Sequence, residues 1–213
     1  METVVLATRS AGKLRELRPI FAAVGVRVLD LAEAGVDESP AEAAIESFDT
    51  FEENALAKAR YFFGRCGGLD VVADDSGLVV DALGGEPGVR SKRWSGRADL
   101  RGPSLDDANN ERLAMRMRGV SDRRARFVCA AAWRGSAGEA VAHGEVAGRI
   151  VEEASGTRGF GYDPYFFTDE LGMTLGEATT EQKRGVSHRG RAFDALLETL
   201  RERGVIPARG RAT

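Results

Sequence analysis

Two adjacent carboxylates close an apolar run in Val71-Val72-Ala73-Asp74-Asp75-Ser76-Gly77, a pairing that can serve a hard cation but is a weak signal by itself. Oxygen donors of that kind hold Mg²⁺, and one of the pair can orient or deprotonate a water. The same letters, D-S-G between the apolar runs 71–73 and 78–80, also write a hairpin turn. Turn and site are compatible, so the segment reads as two short strands flanking a turn that carries the carboxylates.

Four other stretches carry chemistry-bearing side chains. Thr8-Arg9-Ser10-Ala11-Gly12-Lys13 follows an apolar run and precedes a helical pattern. A loop there aims backbone N–H groups and a positive helix end at an anion such as phosphate. It is not a Walker A loop, and an ordinary strand–helix connection with a solvated lysine fits it too. Glu46 precedes Thr50-Phe51-Glu52-Glu53-Asn54-Ala55, and Asn54 and Lys58 stand one turn apart on a single helix face. The plain reading is an acidic first turn favoured by the helix dipole. In Gly159-Phe160-Gly161-Tyr162-Asp163-Pro164 the glycines permit close backbone approach, Phe160 or Tyr162 can stack on a flat base, and Asp163 can accept from a ring N–H. A turn with core-packed aromatics is the alternative. Lys183 with Ser187-His188-Arg189-Gly190 gathers donors near a helix start, or else is a capped helix with exposed basic residues. His143 has no ligand-spaced partner and reads as structural.

The elements needed to position these groups alternate between strand-like and helix-like patterns, which predicts an α/β fold. Val4 to Ala7 reads as a buried strand. A helix follows with Leu14, Leu17, Ile20, Phe21 and Val24 on one face, ended by Gly25 and kinked or started late because of Pro19. Val26 to Leu31 reads as a second strand, 37–49 as a loosely patterned acidic stretch, and Phe51 to Phe63 as a helix stopped by Gly64. Beyond a glycine-rich loop at 84–88 and a basic aromatic patch at 90–94, the patterns predict a helix over 106–117, strands over 127–133 and 140–151, and a loop over 158–164. A final helix carries Phe193, Leu196, Leu197 and Leu200 on one face, with Ser187 as its cap, and the tail from Pro207 to Thr213 frays. With no repeat or linker, residues 1–213 read as one domain.

Composition removes several function classes. Thirty Lys+Arg against thirty-three Asp+Glu leave a net charge of −3, so no overall field attracts nucleic acid or anionic lipid. The longest apolar run, Phe127 to Trp133, is far too short to span a bilayer, and Met1-Glu2-Thr3 runs into Val4 without a basic leader, so a cytoplasmic protein is expected. Cys66 and Cys129 lie far apart, outside any zinc spacing, and read as buried thiols. Only four basic residues are lysines (13, 58, 92 and 183); codon usage explains such a ratio, but each lysine is also a candidate for a specific job.

Taken together and in order, LATRSAGKLREL, TFEENALAKAR, ADDSGLVVDALGGEPGV, GFGYDPYFF and EQKRGVSHRGRA make the sequence resemble the inosine triphosphate pyrophosphatase family, the XTP/dITP diphosphatases, from Val4 to about Leu200. The resemblance implies a long twisted mixed sheet with flanking helices in two lobes around a nucleotide cleft, a homodimer, and Mg²⁺ as cofactor. By the same resemblance Thr8, Arg9, Ser10, Ala11, Gly12, Lys13 and Lys58 hold the triphosphate. Asp75 is the catalytic carboxylate and a metal ligand, Glu46 is the second ligand, and Ser76 touches substrate. Phe160, Gly161, Tyr162, Asp163, Lys183, His188 and Arg189 surround the base, while Asp74 and Glu53 rank lower as sharers of the metal work. Three positions depart from the family pattern: Ser10 stands where Asn is common, Arg9 where a small residue is common, and Phe48 where glycine is common.

The implied reaction is attack of water on the α-phosphorus of ITP, dITP or XTP, giving the monophosphate and pyrophosphate. Hypoxanthine and xanthine present a 6-oxo acceptor where adenine presents an amino donor, so a donor-lined pocket leaves its groups unpaired against adenine. Guanine keeps the 6-oxo group, and its exclusion has to depend on the 2-amino group. No residue is assigned to the 2′-OH, so ribo- and deoxyribonucleotides are expected to be accepted alike. A binding module that has lost turnover, or a hydrolase of another modified nucleotide, would carry the same motifs.

Overall fold

The computed structural model describes residues 1–207; the expected frayed tail lies, from residue 208 onward, outside the described residues. Seven strands form one mixed sheet in the order β2-β1-β3-β4-β5-β6-β7. They are β1 (Thr3–Leu6), β2 (Arg27–Leu29), β3 (Asp70–Val80), β4 (Arg124–Gly135), β5 (Gly138–Ile150), β6 (Phe166–Thr168) and β7 (Met173–Thr174). Five helices accompany them: α1 (Ala11–Ala22), α2 (Phe51–Phe63), α3 (Gly102–Arg116), α4 (Thr180–Val186) and α5 (His188–Glu202). β1 pairs parallel with both β2 and β3, as crossover connections through α1 and α2 require, whereas β6 pairs antiparallel with β5 and β7.

The helix starts follow local chemistry. Ser10 accepts from the Lys13 N–H at the head of α1, Thr50 from Glu53 at the head of α2, and Thr179 forms a reciprocal capping box with Gln182 at α4. α1 begins at Ala11, so Ala11, Gly12 and Lys13 belong to its first turn rather than to a loop, and the helix runs through Pro19 without a late start. The acidic stretch 37–49 contains a short 3₁₀ turn, Pro40–Ala44, capped by Ser39 and Glu42. The second strand is shorter than its pattern suggested, and α4 had no apolar periodicity to announce it.

One difference matters most. Asp74-Asp75-Ser76-Gly77 is no hairpin turn; it lies inside β3, an unbroken strand of 11 residues. β1 pairs only with Asp70–Val72, so beyond that point it is β4, on the other side, that carries the extended chain through a sequence whose local preference is to turn.

The chain divides into two compact units, each assembled from separated segments. The first holds 1–75, 129–144 and the segment from Arg189 onward, and its sheet is buried on both faces. Alternation along the strands decides the faces. Val4, Leu6, Val72, Cys129, Ala131 and Trp133 meet Leu17, Ile20 and Phe21 of α1 and Phe193, Leu196, Leu197 and Leu200 of α5. Phe21 and Phe193 meet edge to face at 5.7 Å. Val5, Ala7, Val71, Ala73, Ala130 and Ala132 face Ala55, Ala59 and Phe62 of α2 instead. The second unit, 76–128 with 145–188, packs Leu78, Val80, Trp94, Leu113, Met117, Phe127, Val146, Ile150, Tyr162 and Phe166 into its own core. Each fully buried large aliphatic or aromatic side chain contributes about 1.5–3 kcal/mol, which leaves room for buried charge elsewhere. Both cysteines are free and buried, and among the described residues no helix is long and apolar enough to cross a membrane.

Candidate active site

β1 stops while β3 continues. The Ala7 N–H donates to the Val72 carbonyl at 2.8 Å, the last such bond between the two elements. Two residues on, the Asp74 carbonyl points along the same edge past the end of β1, and two lysines take the place of a strand. Lys58 Nζ donates to it at 2.8 Å from α2, and Lys13 Nζ approaches it at 3.4 Å from α1. The carboxyl end of a parallel strand is where open α/β sheets bind ligands. Because β3 is extended here, Asp74 and Asp75 point to opposite faces.

Asp75 shares the parity of Val71 and Ala73 and faces α2. Asn54 Nδ2 donates to its Oδ2 at 3.0 Å, and Lys58 is ion-paired with Glu46. Burial pushes the Asp75 carboxyl up to about 6; Glu46 adds to the rise, while Lys58, Lys13 and the Asn54 bond oppose it. Burial works against the charge on Lys58, but Glu46, Asp74 and Asp75 outweigh it and hold the ammonium above its ordinary range. Two carboxylates and a lysine therefore interact at the end of the strand, Asp75 and Lys58 buried and Glu46 half-buried.

Asp74 faces the other way and is enclosed by cations. Lys13 Nζ lies 2.8 Å and Arg189 Nε 3.1 Å from its Oδ2, and Arg189 is also ion-paired with Glu16 of α1. Burial disfavours the Asp74 charge, yet Lys13, Arg189 and Lys58 together hold the carboxyl well below the usual range. Cys129 Sγ sits 3.9 Å from the same oxygen, and burial pushes that thiol up, out of reach of ordinary titration. Arg189, expected at the base, is thus engaged by Asp74 and Glu16, because α5 brings its second residue onto the α1 face of β3. Asp74 has cations for partners, which argues against sharing the metal work.

The loop before α1 is compact. The Ser10 N–H donates to Thr8 Oγ1 at 3.1 Å, and the Ser10 side chain serves as the helix cap. Arg9 does not point with them. Its guanidinium donates to Glu42 at 2.8 Å and to the Val36 carbonyl at 3.1 Å, so its bulk is accommodated against the 3₁₀ turn. Ala11 and Gly12 offer backbone N–H groups of the first helical turn.

In the second unit Lys183 and Asp163 form a buried pair at 2.6 Å, and the Phe160 N–H donates to the same Asp163 oxygen at 2.8 Å. The Lys183 ammonium lies 4.9 Å from the centre of the Phe160 ring. Gly159 has φ +79°, and a Cβ there would stand 2.0 Å from Asp163 Oδ2, so only glycine fits. Gly161 is clasped by α3, its N–H donating to Asp106 at 2.9 Å and its carbonyl accepting from Asn110 at 2.9 Å. Tyr162 is no stacking platform: its ring joins the core and its hydroxyl donates to the Ser91 carbonyl at 2.8 Å. His188 is buried with its ring stacked on Phe127 at 4.8 Å and 11°. Ser76 is half-buried in β3.

Three of the four lysines thus sit in these clusters. The residues that sequence reasoning left out of the site are Asn54, Glu16, Asp106 and Asn110, all of which hold other site groups in place. Asn54 was visible through its helical spacing from Lys58; the other three gave no signal, since their partners lie far along the chain.

Among the described residues no group of three or more His, Cys, Asp and Glu side chains is arranged as a ready metal cluster. The donor chemistry nonetheless fits Mg²⁺. That ion is commonly held by one or two carboxylates plus substrate phosphates, and Glu46 with Asp75 supplies two like charges that a divalent cation would offset.

The Ham1 family model matches residues 4–199. A dITP/XTP pyrophosphatase of Frankia alni is 48% identical over 93% of this chain and 97% of its own, and one of Salmonella typhimurium is 44% identical over 94% and 99%. Among solved structures, the Staphylococcus aureus Ham1 protein superposes with a TM-score of 0.77 at 35% identity, covering 94% of this chain and 99% of its own. A nucleoside-triphosphatase/dITP/XTP pyrophosphatase of Mycobacterium abscessus gives 0.68 at 41% identity, covering 92% and 98%. With a family match across nearly its whole length and relatives of this identity, the chain belongs to the Ham1 family.

Proposed function

We propose that this chain hydrolyses ITP, dITP and XTP to the nucleoside monophosphate and pyrophosphate, clearing deaminated purines from the nucleic-acid precursor pool. The observation that carries the reading is the group at the end of β1: a buried carboxylate, Asp75, beside Glu46, with Lys13 and Lys58 converging on the Asp74 carbonyl. The names of the Frankia and Salmonella relatives agree with it.

In this reading the N–H groups of Ala11, Gly12 and Lys13, with Thr8 and Ser10, cradle the phosphates at the positive end of α1. Lys13 and Lys58 neutralise the non-bridging oxygens and the departing pyrophosphate. Glu46 and Asp75 would hold Mg²⁺, which when bound supplies charge neutralisation and a more acidic water. Asp75 orients the attacking water and accepts its proton, a role suited to an ionised carboxylate fixed in place by Asn54. Phe160, Gly161, Asp163, Lys183 and His188 form the base-facing group, with Ser76 as a further substrate contact. The 213 residues act as one catalytic domain, in a homodimer in the cytoplasm.

The test is a panel of ITP, XTP, dITP, GTP and ATP with Mg²⁺, assayed separately for pyrophosphate and orthophosphate. Pyrophosphate from the first three, with little from GTP or ATP, is expected. Orthophosphate as direct product would overturn the mechanism, and no product with nucleotide still bound would make this a binding module. Lys183→Met removes the donor beside Asp163, and discrimination of ITP over ATP should fall at least about 10-fold in kcat/KM. Unaltered selectivity would remove Lys183 from the base.

A further inference from the structure

Asn54 makes three hydrogen bonds while having none of its surface exposed. Its Oδ1 accepts from the Phe48 N–H at 3.0 Å, and its Nδ2 donates to the Phe48 carbonyl at 3.1 Å and to Asp75 Oδ2 at 3.0 Å. One amide therefore grips both polar groups of a backbone residue two positions after Glu46 and, with its remaining donor hydrogen, the carboxylate of β3. Phe48 itself is 44% exposed, so the local chain is held through its backbone rather than by burial of that side chain.

We propose that Asn54 is a positioning residue that sets the spacing and orientation of Glu46 and Asp75 as a pair of metal-holding carboxylates. The inference rests on the role given to those two residues above. α2 is a rigid 13-residue helix capped at Thr50, so Asn54 is a fixed point from which both the acidic segment and the strand are referenced. Partners that orient metal ligands without touching the metal commonly govern affinity about 10–100-fold.

The experiment compares wild type with Asn54→Ala and Asn54→Ser by Mn²⁺ titration without nucleotide, by hydrogen exchange at the Phe48 amide, and by kinetics in Mg²⁺. Expected are a metal dissociation constant raised at least about 10-fold and a faster-exchanging Phe48 amide. In kinetics kcat should fall while KM for ITP at saturating Mg²⁺ stays within about twofold. A folded variant with metal affinity within twofold of wild type, or with an unchanged Phe48 amide, would overturn the proposal. A second arm needs no variant: Mg²⁺ added to the wild-type protein should shift the Asn54 side-chain NH₂ resonances, and resonances that stay put while Mg²⁺ binds would overturn it equally. A wild-type protein that binds Mn²⁺ but makes no pyrophosphate would sink the enzymatic reading and leave the positioning role standing. Absence of metal binding by the wild type would sink the positioning role.

Discussion

Asp75→Asn lowers the rate of pyrophosphate release by about 10³-fold or more while the protein still folds. The expectation has two parts with separate causes. The rate falls because an amide neither accepts the proton of the attacking water nor offsets a cation's charge, and groups acting on developing charge are worth on the order of 10²–10³-fold or more each. The fold survives because the oxygen of the introduced amide can still accept from Asn54 Nδ2, and because the lost group is a desolvated carboxylate already pushed up to about 6. Melted without divalent cations at neutral pH, the variant should match or exceed the wild type. Steady-state kinetics on ITP together with a thermal melt read both parts. Activity within tenfold of wild type would remove Asp75 from the chemistry, and a large drop in melting temperature would make the lost rate uninformative.

Arg189→Met carries the largest expected effect on stability. The guanidinium is 3% exposed and stands between Asp74 and Glu16, neither of which can be left uncompensated cheaply. Breaking a buried pair by removing one partner costs about 3–5 kcal/mol. For a chain of 213 residues, that corresponds to a fall in melting temperature of roughly 10 °C. Lys13 would remain on Asp74, and its ammonium would be held there more tightly at the expense of phosphate. Denaturant unfolding of Arg189→Met, Asp74→Asn and the double variant gives the coupling directly. A loss under about 1 kcal/mol, with no coupling to Asp74, would mean that the Arg189–Asp74 pair does not hold this part of the fold together.

Much of this arrangement was legible in the sequence. The first strand, expected at 4–7 and found at Thr3–Leu6, the apolar face of α1 and the helix Phe51–Phe63 stopped by Gly64 follow from apolar periodicity and stop residues, which are local properties. The five motifs, by type and order, gave the resemblance to the pyrophosphatase family, and the family match agrees with it. Of the four lysines, Lys13, Lys58 and Lys183 are ion-paired with Asp74, Glu46 and Asp163, partners the sequence did not name.

What stayed illegible depended on neighbours distant in the chain. Asp74-Asp75-Ser76-Gly77 has the local preference of a turn, and pairing with β4, far along the chain, makes it strand. From that one outcome follows the division of labour between the two carboxylates. Adjacent residues of an extended chain face opposite ways, so Asp75 joins Asn54 and α2 while Asp74 joins Lys13 and Arg189. The partners of Tyr162 and Arg189 were illegible for the same reason: a side chain's partner is chosen by what packs beside it, here the Ser91 carbonyl 71 residues away and Asp74 115 residues away. Sequence by itself determined which chemical groups this protein possesses and the local elements that carry them. Only the tertiary structure decided which carboxylate meets Lys13 and Arg189 and which meets Asn54, because strand pairing across long sequence separations fixes the face on which each side chain emerges.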